Sequence, residues 1–554
     1  MRASWSKARF AGAGPAPGVP ASKPKLSRNG ASDGTYGGTT IEARLIDAPP
    51  MSLSVSRTCP SRIDRIATLL ALWLAALAAP ALAADEAGVA TPVAHARIGF
   101  ERIKFPGDER VGLVGTSYLI DVASIPGLSA GPAVYGAITG RRGGFFTLGG
   151  ELAWRRQLAG PLGVEIGLYA GGGGGAGAPQ GGGLMLRPHA DLLWDFGPYA
   201  LGLSLSRVRF PNGQIDSTQV GFVFNAINDF RYVPAARLSS AVRSGGRAGF
   251  GFDRVQIVSG IYRTQSGLTL ADGRPLRRDI GYLGVRAEQA FSEYTYWGLE
   301  ANGAAQRSVA GYAEYLGTLG AETEVVRNRV NVGARVALGM AGGGGIQTAG
   351  GVLAKAAVYS VVRISPEFGL SLEAGAANAP RGRFRAAYAS AALVWALDGP
   401  DSAGMPTRPT RTDFSAGVER FDAVRRDGST RALQADVLKI NRFLSPEFYL
   451  AGQVHSAIGG GAGGYSSALI GAGWTRALGA GIHVGAELLG GASGGGGVDS
   501  RGGIVQPMAY LGYQLSPSVA LRVGAGQVKA LHGPLSSPVV DLSLSITYGV
   551  SAGS

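Results

Sequence analysis

The sequence predicts an all-β fold, an antiparallel transmembrane β-barrel of about 24 strands built as three tandem copies of an eight-strand unit. Three observations predict it. A pattern of roughly 150 residues occurs three times, its strands alternate apolar and polar side chains, and its connections alternate between tight turns and longer loops.

The copies open with Gly99-Phe100-Glu101-Arg102, Gly251-Phe252-Asp253-Arg254 and Gly417-Val418-Glu419-Arg420, so the arginines recur after 152 and 166 residues. A glycine cluster follows in each, at 171–175, 342–345 and 494–497, and then a strand that stops at a proline turn. Those stops are Phe196-Gly197-Pro198, Ile364-Ser365-Pro366 and Leu515-Ser516-Pro517. Landmarks kept in order three times define an internal repeat, and the repeat sets the architecture. The units span 96–232, 247–398 and 413–554.

A leader precedes them. Arg62 and Arg65 supply positive charge, 66–77 an apolar run and Ala81-Leu82-Ala83 the small residues of a cleavage site, which reads as a secretory signal over 51–83. The run falls short of the ~20 residues a helix needs to cross a bilayer. Translation is expected to start at Met51, which leaves 1–50 as a non-native or unstructured extension. The single cysteine, Cys59, leaves with the leader, so the mature chain has no disulfide and no thiolate metal site. Without 1–83 the chain keeps 42 basic and 34 acidic residues, a net +8 against +14 for the whole sequence. These charges are scattered and form no basic block, which argues against nucleic acid as a partner.

Each strand carries two faces. Leu542, Leu544, Ile546 and Tyr548 alternate with Asp541, Ser543, Ser545 and Thr547, and Leu201, Leu203 and Leu205 alternate with small or polar residues. In the first copy the turns at Ile125-Pro126-Gly127, Ala159-Gly160-Pro161 and Gly197-Pro198 are tight, whereas 105–110, 140–143, 171–183 and 211–216 are looser. The third copy repeats this order. Trp154, Trp194, Trp395 and Trp474 fall near short-turn strand ends, where interfacial aromatics belong. Disorder is excluded because 45% of residues are hydrophobic and alternate, and a β-helix would need far shorter periods.

Leader, alternation, paired turn lengths and aromatic strand ends together make the mature chain resemble the bacterial outer-membrane β-barrel class. The resemblance implies an outer-membrane location, with membrane lipid and the barrel-insertion machinery as partners. One departure is plain. Such proteins usually end on an aromatic residue, yet Tyr548 is followed by six more residues, and Val220, Phe222 and Phe224 fit that pattern better.

No chemistry announces itself. His95, His189, His455, His483 and His532 are scattered, and His483 matches Glu165 and Asn331 in the other copies, as a polar lumen position of variable identity would. No serine sits in a nucleophile elbow. No phosphate loop opens a helix, and no calcium loop or metal-ligand spacing is present. Neither an enzyme nor a cofactor is expected. The recurring charged motif is the acid–arginine dipeptide. If Glu101, Asp253 and Glu419 face the lumen they register strands by pairing with arginines of neighbouring strands, while Arg102, Arg254 and Arg420 lie at the interface and snorkel.

Eight strands close a small barrel filled by side chains. The interior faces here are rich in glycine and alanine, which would underfill such a lumen, so a single 24-strand barrel is the preferred closure and three small barrels on one chain the alternative. The single barrel would need a plug or a periplasmic partner. The expected function is a pore or export conduit for an unidentified solute or polymer. The alternative is a non-conducting structural or surface-interaction barrel, disfavoured as an adhesin by glycine-rich loops that offer few side chains. An outer-membrane lipid-modifying enzyme is a distant third.

Overall fold

The computed structural model describes residues 88–243, 247–397 and 406–551. The leader, Met51, Cys59 and the N-terminal extension lie outside them. Among the described residues no helix is long and apolar enough to cross a membrane, and the helical turns are short 3-10 segments such as Pro106–Asp108.

The chain closes three times. Strands from Val93–Lys104 to Asp216–Asp229 form one eight-strand barrel, those from Arg254–Thr264 to Arg385–Ala396 a second, and those from Pro409–Val424 to Ser536–Ser551 a third. Within each, the first strand pairs antiparallel with the eighth: Gly99 sits opposite Val223, Val255 opposite Trp395 and Gly417 opposite Ser543. The count of 24 barrel strands holds, and the three-barrel alternative is the form the chain takes. The preference for one large barrel is corrected.

The physical reason lies inside. At seven places a lumen-facing tyrosine lies over a glycine directly opposite on the next strand: Tyr135 over Gly115, Tyr282 over Gly260, Tyr296 over Gly320, Tyr359 over Gly333, Tyr388 over Gly375, Tyr449 over Gly473 and Tyr510 over Gly485. A Cβ at any of these glycines would run into the ring. The glycines are seats for aromatic rings, so a lumen lined with them is full.

Outside, the strands expose the apolar half of their alternation. Leu201, Leu203, Leu205, Phe222, Leu299, Leu338, Leu372, Leu488 and Leu511 are all at least half exposed. Inside, charged and tyrosine side chains are buried. This inverts a soluble barrel and matches one solvated by lipid. Short turns such as 160–161 and 197–198 gather at one end, with the longer connections at the other.

Two short pairings tie the junctions between barrels to the short-turn end. Val233–Pro234 pairs antiparallel with the end of the last strand of the third barrel, and Val242–Arg243 pairs with Pro406–Thr407.

Candidate functional site

Each lumen has two zones. Toward the loop end the side chains are apolar and tightly buried: Ile103, Leu113, Phe145 and Phe210 in the first barrel, Leu270, Val309, Ile346 and Phe384 in the second, and Leu433, Tyr465, Val498 and Leu535 in the third. Loop residues fold inward to complete these caps. Below them lies a charged zone.

In the first barrel Arg97 reaches three carboxylates, at 2.6 Å from Glu151, 2.9 Å from Glu165 and 2.5 Å from Asp191. Arg187 binds both oxygens of Glu101 at 3.0 Å, and the Tyr135 hydroxyl donates to Glu151 at 3.0 Å. In the second, Lys355 and Arg286 hold Glu300 at 2.6 and 2.8 Å, while Arg335 bridges Glu288 and Glu373. In the third, Lys439 and Arg522 share Glu487, which also accepts the Tyr449 hydroxyl at 2.5 Å. Buried ions persist only when paired and hydrogen-bonded. Beside Arg97 and Glu101 the remaining void is about 20 Å³, room for roughly one water. The lumens are packed interiors held by ion pairs.

The acid–arginine dipeptides divide. Glu101 and Glu419 are buried in their lumens, Glu101 against Arg187 and Glu419 against the amide of Gln506 at 2.6 Å, while Arg102 and Arg420 are exposed on the outer face. The second copy departs from this arrangement. Asp253 stands just before its strand and binds Arg247 of the junction at 2.9 Å, and Arg254 turns inward to Glu288 and Glu322. The placement of Arg254 at the lipid interface is therefore corrected: in the second copy the dipeptide sits at the strand start, whereas in the other two it lies deep in the strand. Trp154, Trp194, Trp395 and Trp474 all point outward near short-turn ends. Trp154 and Trp194 are exposed, Trp395 stacks on Phe368 at 6.0 Å, and the Trp474 indole donates to Glu447 at 3.1 Å.

Sequence reasoning missed Arg97, Glu151, Asp191, Arg286, Arg335 and Lys355. Alternation would have placed them on inward faces. It could not pair Arg97 with Asp191, which is 94 residues away. Glu165, His189 and Asp191 do bring ligand atoms within 4.8 Å of one another. Arg97 contacts both carboxylates and the His189 ring meets Asp191 at 3.1 Å, so this cluster is an ion-pair network.

The glycine clusters do something else. Gly144 of the first barrel packs on Gly342 and Gly343 of the second, Gly311 of the second on Gly494 and Gly495 of the third, and Gly464 of the third on Gly175 of the first. The positions are equivalent: Phe145, Tyr312 and Tyr465, each next in the chain, accept matching backbone bonds from Ala137, Ala304 and Ala457. Backbone bonds cross the seams, from Gly143 to Ala349 at 2.8 Å and from Gly464 to Gly173 at 2.8 Å. Head-to-tail contacts that close after three steps form a ring.

Between the outer faces of the first and third barrels lies a cavity of about 520 Å³. Ile120, Ala130 and Ala170 line one side, and Ala416, Leu438 and Ile546 the other. Phe230, Tyr232 and Phe250 of the junction, with Tyr548, close its short-turn end. Three acidic residues are among its lining, Asp121, Glu151 and Asp436, the first two paired with His95 and Arg97. Asp436, 4% exposed on the outer face of its strand, accepts the Ser456 N–H at 3.1 Å and, across the seam, the Gly172 N–H at 3.2 Å.

The geometry defines the class, a β-barrel protein of the outer-membrane type. No family model matches the chain, and no curated protein does. Among solved structures it is similar to a mutant ferric enterobactin receptor, PfeA, of Pseudomonas aeruginosa, with 9% identity over 82% of this chain and 80% of that one and a TM-score of 0.25. It is also similar to the siderophore receptor PirA of Acinetobacter baumannii (11%, 84% and 81%, TM-score 0.26) and to OccK2 of Pseudomonas aeruginosa (10%, 83% and 97%, TM-score 0.21). Likeness at this level carries no argument about topology or cargo.

Proposed function

We propose that the chain is an outer-membrane transport protein that handles an apolar or amphiphilic molecule along the seam between its barrels, and that no polar solute passes through a lumen. One observation carries this reading. The lumens are packed with paired ions and apolar caps, whereas open volume lies between barrels, on surfaces whose apolar character continues the lipid-facing belt. A polar pore needs a wet bore lined by charge, and these charges are spent on each other.

Planar-bilayer recording tests it. The purified protein is expected to give no unitary current in monovalent salt at any voltage that leaves the bilayer intact. Reproducible conductance steps that change when Arg97 or Arg335 is substituted would place the route in a lumen and overturn the reading.

A further inference from the structure

We infer that the cavity between the first and third barrels is a binding site for a single-chain amphiphile, an alkyl body with a hydrogen-bond-donating amine or hydroxyl head, and that Asp436 receives the head. The inference rests on the seam reading and names the ligand class it requires.

Two observations meet in it. The first is the cavity itself, about 520 Å³ and lined mainly by Ala130, Ala170, Ala416, Leu438 and Ile546. That is space shaped for hydrocarbon, and pockets of a few hundred Å³ with one or two polar groups are the usual form of a small-molecule site. Small side chains stand where larger ones would have closed the seam. The second is Asp436. An acid on the outer face of a membrane strand is costly, and the donors it meets among the described residues are two backbone N–H groups, one per oxygen. A carboxylate offers about four acceptor sites. Asp436 also lines the apolar cavity, where a polar group without a full set of partners costs more than it does in water.

Each N–H takes one oxygen, and the acceptor sites left on the carboxylate are the ones a donor head would use. An alkylamine would add an ion pair of the charge-assisted kind, an alcohol a neutral hydrogen bond, and a fatty acid would place like against like. The preference order amine, alcohol, carboxylate follows from Asp436, since Asp121 on the opposite wall is paired with His95 at 3.0 Å. The size of the alkyl body follows from the walls.

Native mass spectrometry of the full mature protein, released from dodecyl maltoside micelles, tests the inference with tetradecylamine, tetradecanol and tetradecanoate as probes. Wild type is expected to retain one amine per chain, the alcohol more weakly and the carboxylate not at all. Asp436→Asn, which keeps one oxygen for a backbone N–H and turns the other acceptor into a donor, should weaken amine retention at least tenfold and leave the alcohol within about threefold. Ala170→Phe with Ala416→Phe should remove both, and heat-modifiable migration checks that each variant is folded. Equal retention of all three probes, or amine retention unchanged in Asp436→Asn, would overturn the inference. Bilayer currents report separately on the lumens, so conductance together with amine binding would sink the transport route and leave this site standing.

Discussion

At the scale of single residues the protein is governed by what a buried charge needs. Arg97 is 7% exposed and faces Glu151, Glu165 and Asp191. Replacing it with methionine leaves three carboxylates in a dry lumen, and breaking a buried network from one side costs about 3–5 kcal/mol. Arg97→Met is therefore expected to lower the urea midpoint of the folded protein in lipid vesicles by that equivalent. A change below about 1 kcal/mol, the level of an exposed pair, would contradict the packed-lumen account. The glycine seats make a second prediction. Gly473→Ala puts a methyl into the ring of Tyr449, and overpacking of this kind costs about 1–3 kcal/mol. Gly473→Ala combined with Tyr449→Leu should recover most of the loss in the same denaturation measurement. These residues were half legible in the sequence. Alternation puts Glu101 and Glu419 inside, but which arginine meets which acid depends on strands far apart in the chain, and no local pattern encodes that.

At the scale of the strand, the alternation of faces decides what each substitution does. Leu338 is 62% exposed on the outer face and Ala337, its neighbour, is 6% exposed on the inner one. Leu338→Lys is expected to destabilise the vesicle-folded protein by about 2–4 kcal/mol, the depth-dependent cost of a lysine facing lipid. Tolerance of that lysine at less than about 0.5 kcal/mol would mean that the face meets water. Strand existence, turn kind and the aromatic ends were readable because each is written in a few consecutive residues. The acid–arginine dipeptide misled in the second copy for the same reason. The same four-letter pattern begins a strand at Arg254 and lies inside one at Glu101, and sequence similarity does not mark depth along a strand.

At the scale of the molecule the fold depends on a pairing choice that the sequence did not disclose. Strand one can join strand eight and close a small barrel, or strand eight can pass on to strand nine and build a large one. Identical alternation serves both. The choice turns on lumen filling, and glycine counted as empty space points the wrong way, because its seat is occupied by a tyrosine from the next strand. The clusters at 171–175, 342–345 and 494–497 were likewise visible only as loops. Their work is to let backbones of neighbouring barrels touch. Gly144 has a φ of 92° and a Cβ there would strike the backbone of Gly343, so Gly144→Val is strained both in conformation and in space. It should lower the temperature at which folded electrophoretic migration is lost, with strand content by circular dichroism unchanged.

The central claim is triple closure, and the absence of cysteine from the three barrels, Cys59 being the chain's single one, makes it directly testable. Ala96 and Ala226 are direct partners between the first and eighth strands of the first barrel, close enough for a disulfide between adjacent strands. Ala96→Cys with Ala226→Cys, oxidised in folded protein and mapped by peptide mass spectrometry, should form that intramolecular disulfide nearly to completion. The opposite result would be a thiol left free at position 96 in folded protein, while the thiol at position 226 is captured instead by a cysteine placed at Val255, in the first strand of the second barrel. That outcome would contradict triple closure and restore the single large barrel.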